Sequence, residues 1–152
     1  HLSIRRQRQM CIRDRYMTRR QIRENLYKML FQVEFHDKES LRTQIEIYLE
    51  DLEMADEKDK RELRDKFNEL VENLEDIDAK IEEKANGWTI NRIAKSELTI
   101  LRLGVYELLY VEDVPNKVAI NEAVELAKAY GADKASGFIN GILASVVKEV
   151  SE

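Results

Sequence analysis

Three arginines, Arg19, Arg20 and Arg23, crowd the start of a stretch whose apolar residues, Ile22, Leu26, Met29, Leu30 and Val33, recur at helical spacing. Cations in a first helical turn oppose the helix macrodipole, so the cluster slightly disfavours the helix and points to an external reason for being there. The bland alternative is a solvated helix face. Residues suited to covalent or metal chemistry are scarce by comparison. His36 is the only histidine after residue 1, and no cysteine follows Cys11. P-loop, dinucleotide-fingerprint and HExxH motifs are absent, and the many acids fall beside lysines at helical spacing. The chain therefore reads as a non-enzyme with no cofactor and no metal.

Charge limits what such a patch can do. The first sixteen residues, HLSIRRQRQMCIRDRY, hold five arginines and one acid; without them 20 basic and 29 acidic residues remain, a net of -9. An overall field of that sign repels phosphate, so nucleic-acid contact has to come from a local basic patch or with help from a partner. The leader shows no apolar period and no apolar core of a secretion signal. It reads as a foreign scar ahead of a natural start at Met17, with an arginine-rich RNA-binding arm and an inert tail as the competing readings. The lone cysteine fits a reducing, cytoplasmic compartment. No run of residues approaches the roughly 20 apolar positions of a membrane span.

The elements that must position these groups are helices. One proline and five glycines leave little room for a turn-rich sheet protein, and no segment alternates with period two. Helices are expected over Arg19–Phe35, over Leu41–Leu52, and through Leu63, Phe67, Leu70, Val71 and Leu74. Asp76-Ile77-Asp78 offers a cap for a further helix closed by Asn86-Gly87. Trp88, Ile90 and Ile93 would anchor a turn between lobes, and Ser96 is a candidate cap for a stripe of Leu98, Leu101, Val105, Leu108 and Leu109. Val118–Tyr130 and a last helix starting at Ala132 or Asp133 complete the chain. That last helix packs through Phe138, Ile139, Ile142, Leu143, Val146 and Val150. The expected architecture is all-α, two small packed helical bundles with about seven helices: a three-helix lobe over 17–74 and a helical lobe over 75–152, packed as one domain.

Within the last two helices, Asn121 and Asn140 sit in apolar surroundings, where an amide must find a partner or cost stability. Both are read as mainly structural, as are Arg102 and Glu107.

These segments resemble the transcription antitermination factor NusB family. The resemblance rests on RRQIRENLYKMLFQ at Arg19–Gln32, ILRLGVYELLY at Ile100–Tyr110, VPNKVAINEAVELAKAYG at Val114–Gly131 and GFINGIL at Gly137–Leu143. It implies an all-α, non-enzymatic protein that binds ribosomal protein S10 (NusE). The pair would recognise single-stranded boxA RNA on nascent transcripts, notably of ribosomal RNA operons, with other Nus factors and RNA polymerase in a larger complex and no membrane. Carried onto this chain, Arg19, Arg20 and Arg23 contact RNA, and Phe138 stacks an unpaired base. Phe31 and Glu97 meet the S10-like partner. Without the family, Phe138 and Phe31 read as core rings and Glu97 as a surface acid. Gly137 stands where family members often carry lysine, removing a phosphate contact that Lys134 compensates.

Two other functions compete: a protein-interaction module with little RNA affinity, and a detached accessory domain of a ribosomal RNA methyltransferase. Some family members are monomers and others form a homodimer, and no heptad seam here decides between them.

Overall fold

The computed structural model describes residues 17–151. The readings of the leader, and the packing of the Val150 side chain, lie outside the described residues. Seven α-helices are present among them: α1 (Arg19–Phe31), α2 (Lys38–Glu50), α3 (Glu57–Glu72), α4 (Leu74–Lys84), α5 (Lys95–Tyr110), α6 (Asn116–Tyr130) and α7 (Ala135–Ser151). Short 3-10 turns occupy Gln32–Glu34 and Ile90–Arg92. The all-α expectation holds. The chain divides into two compact units between Phe67 and Asn68, within α3.

In the N-terminal unit, α1 is started by a capping box. The Thr18 hydroxyl accepts from the Gln21 amide at 3.1 Å, and the Gln21 side chain accepts from the Thr18 amide at 2.9 Å. This local bonding offsets a first turn with no acid and two arginines. Asp37, in the gap between the first two expected helices, begins the second: its carboxylate caps α2 by accepting from the Ser40 amide at 2.8 Å. The apolar stripes are as expected on α1 (Ile22, Leu26, Met29, Leu30) and α2 (Leu41, Ile45, Leu49), with Leu63 and Phe67 from α3. Each helix pair is also tied by a polar contact. Tyr48 donates to Asn25 at 2.6 Å, Arg64 pairs with Glu46 at 2.8 Å, and Arg19 pairs with Glu62. Burial drives the Tyr48 hydroxyl up to about 12, with the Glu24 charge adding to it.

The C-terminal unit is organised around α5, in which every residue from Glu97 to Glu107 is buried. A helix apolar on nearly all sides has to be surrounded, and α4, α6 and α7 pack around it. Gly104 permits the approach of α7: a Cβ there would lie 2.8 Å from the Leu143 Cδ1. Arg102 and Glu107 are buried, as expected of polar ties, and Arg102 forms a two-pronged bridge to Asp78 at 2.8 and 2.9 Å. Asp78 is therefore a partner within α4, and the cap position belongs to Asn73. Ser96 likewise lies inside the first turn of α5 and not at its cap, which is Ala94. Leu109, placed in the core stripe from its spacing, is 36% exposed at the end of α5.

Candidate RNA and partner surfaces

The arginine cluster projects from the first turns of α1, with Arg19 and Arg20 exposed and Arg23 half-buried. Arg19 is engaged within its own unit. Its guanidinium forks onto Glu62 of α3 at 2.5 and 2.9 Å. The Arg19 hydrogen bond is the main cause holding the Glu62 carboxyl down to about 2; burial opposes it and Lys66 assists. The same bond raises the Arg19 guanidinium further, so the pair is fully ionised at neutral pH. An RNA phosphate approaching Arg19 has a carboxylate to displace or share, and sequence spacing gave no sign of that competitor.

Phe31 ends α1, half-buried, with its ring 6.3 Å from Tyr27 and 5.2 Å from Phe35. Phe35 is 54% exposed. Phe31 thus sits at the edge of the core, between the buried Tyr27 and the exposed Phe35, and is not a fully buried ring.

In the C-terminal unit Glu97 is only 8% exposed. Its carboxylate accepts from the Ser96 hydroxyl at 2.6 Å and from the Ala132 amide at 3.4 Å, tying the start of α5 to the turn between α6 and α7. Burial pushes its carboxyl up, but the Ser96 hydroxyl and the Glu97 and Ala132 backbone amides outweigh this and hold it below the usual range. The plain reading of Glu97 as a surface acid is therefore wrong.

Lys134 is exposed in the turn before α7, four residues ahead of Phe138. Phe138 is half-buried, and its ring meets Trp88 edge-to-face with centroids 6.1 Å apart. The adjoining surface corrects the reading of the two asparagines. Asn121 and Asn140 are exposed, and they line an open groove of about 500 Å³ between α6 and α7. Lys117 and Ser136 add polar groups to its rim, and half-buried Ile120 and Val124 give it an apolar floor. The buried face of α6 is built from Ala119, Ala123, Leu126 and Ala127 instead. Gly137 opens onto the same groove, and a Cβ there would meet nothing within 4 Å.

Among the described residues no group of three His, Cys, Asp or Glu side chains is placed to hold a metal ion, and no helix is long and apolar enough to cross a membrane.

Residues 20–148 match the NusB family. The transcription antitermination protein NusB of Agathobacter rectalis is 49% identical over 128 residues, which cover 84% of this chain and 98% of that protein. The structure of T. maritima NusB superimposes with a TM-score of 0.77 at 39% identity, covering 88% of this chain and 92% of that one. A NusB solved with NusE and double-stranded RNA shares the fold, with a TM-score of 0.72 at 24% identity over 88% of this chain and 99% of its own. The chain belongs to the NusB family of non-enzymatic, RNA-binding transcription antitermination factors.

Proposed function

We propose that this protein is an adaptor that pairs with ribosomal protein S10 (NusE) and, with it, binds single-stranded boxA RNA on nascent transcripts such as those of ribosomal RNA operons. The observation that carries the reading is similarity to NusB over nearly the whole length of a relative, combined with an exposed basic start to α1 on an otherwise acidic chain. Arg19, Arg20 and Arg23 contact phosphates, Arg19 by exchanging its Glu62 partner. Lys134 adds a further cation and Phe138 a stacking ring. Phe31 buries its free face against the S10-like partner. Glu97, its carboxylate held in place by Ser96 and Ala132, pairs with a basic side chain of that partner.

The test is a salt series of binding to a labelled boxA RNA, with and without ribosomal protein S10, using the full chain and its Arg20→Ala/Arg23→Ala double variant. The leader is common to both proteins, so its arginines cancel in the comparison. Loss of two phosphate contacts on a single strand is expected to flatten the log K against log salt slope by about 1.4 and to weaken binding roughly tenfold near physiological salt. Equal slopes for the two proteins would remove the RNA role of α1. A stable pair with S10 that adds no RNA affinity would identify a protein-interaction module.

A further inference from the structure

Trp88 is the only tryptophan in the chain, and it is 50% exposed. Its spacing suggested an apolar anchor for a turn; the structure instead places the indole at the surface on a pinned backbone. Asn86 and Gly87 adopt left-handed conformations, with φ of 49° and 91°. The Trp88 amide then donates to the Ala85 carbonyl at 3.1 Å, and the Ile90 amide donates to the Glu82 carboxylate at 2.8 Å. Ile93, buried, fixes the far end of the segment. A large ring held rigidly and left half in water is a poor use of apolar area unless something covers it.

Two observations say what does. The indole touches Phe138, with the planes at 70°. An edge-to-face contact covers at most one face of the two rings, and Trp88 is the more exposed of them. The neighbours of the indole along the chain are also polar: Asn86, Gly87, Thr89, Asn91 and Arg92 are all exposed. One pair of touching rings among exposed polar and cationic residues is unlike the continuous apolar patch of a protein interface. It matches the stacking platform of a single-strand binder, in which rings take bases and nearby cations take phosphates.

We infer that Trp88 is a base-stacking residue of the RNA site, with Phe138 bracing the indole from the side. This rests on the proposed RNA-binding function and adds to it the residue that presents the accessible ring.

The experiment replaces the sole tryptophan with fluorotryptophan in the full chain and follows its single fluorine resonance. The titrants are boxA RNA, an abasic strand of equal length, and unlabelled ribosomal protein S10. The RNA affinities of the Trp88→Ala and Trp88→Phe variants are measured alongside, with unfolding curves to confirm that each is folded. Stacking predicts a resonance shift that saturates with RNA binding and is absent with the abasic strand. It also predicts about a tenfold loss of affinity in Trp88→Ala, an unchanged salt slope, and recovery of most of that loss in Trp88→Phe. RNA binding with a stationary resonance and an unaffected Trp88→Ala variant would overturn the inference and leave the adaptor function standing. A resonance moved by S10 alone would assign Trp88 to the protein interface and overturn it as well. If no RNA binds under any condition, both readings fall together. Should Trp88→Ala fail to fold, the fluorine titration and Trp88→Phe still decide.

Discussion

The two units carry arginine bridges that differ in burial, although lysine pairs such as Lys80–Glu149 lie at the surface of the C-terminal unit as well. In the N-terminal unit the bridges lie at the surface: the Arg19 and Glu62 side chains are 63% and 24% exposed, and those of Arg64 and Glu46 are 39% and 51% exposed. In the C-terminal unit the Arg102 side chain is 6% exposed and its partner Asp78 21%. An exposed pair contributes little to stability and exchanges readily with an outside ion. A buried pair leaves an uncompensated charge if one member is lost. The N-terminal unit therefore holds an arginine in an exchangeable surface pair, while the C-terminal unit uses an arginine to hold helices together and presents Lys134, rings and amides.

The largest effect expected from this contrast is on stability. Arg102→Ala strands the Asp78 carboxylate and should cost about 3 kcal/mol, with little dependence on salt. Arg64→Ala, at an exposed pair of similar geometry, should cost less than about 1 kcal/mol and less still in high salt. Urea unfolding of the two variants at low and high salt compares them directly. Equal losses would erase the distinction between the units.

Much of this was legible before the structure because helical periodicity reports burial over long segments. The stripes of α1 and α2 and the Asn86-Gly87 stop all appear where the spacing put them. What failed were choices between the two sides of one helix. Asn121 follows Ile120 and precedes Ala123, so a period of 3.6 cannot separate the core edge from a groove edge, and the structure puts the amide outside. Glu97 failed in the other direction, because its burial depends on the Ala132 amide 35 residues away. Arg19 looked available because nothing local marks Glu62 as its partner. Long-range polar pairing of this kind leaves no periodic trace in a single sequence.

A smaller effect sharpens the comparison from the ring-and-amide side. Gly137→Lys adds the cation that family resemblance leads one to expect at this position. The new side chain enters open space, and replacing a helical glycine gains up to about 1 kcal/mol of propensity, partly offset because a cation near the start of α7 opposes the macrodipole. Thermal unfolding should rise slightly. RNA affinity should increase a few-fold, and the salt slope should steepen by about 0.7, the value of one additional phosphate contact. An unchanged slope would mean that this end of α7 lies away from the RNA backbone.

The smallest effect tests the replaceable bridge itself. Glu62→Gln removes the carboxylate competing for Arg19, so RNA binding should tighten roughly twofold at low salt, with the gain fading as salt screens the pair. The pH dependence has a fixed sign. The Glu62 carboxyl is held at about 2 in the folded protein against 4.5 ordinarily, so its stabilising contribution is complete above about 4.5 and is lost as pH falls toward 2. Wild-type stability should drop across that window by more than that of Glu62→Gln, which has no proton to take up at this position, and acid unfolding followed by circular dichroism measures the difference. Because the window lies far below neutrality, protonation does not release Arg19 under ordinary conditions. Exchange with another anion does, and an RNA phosphate supplies one in the same fork geometry.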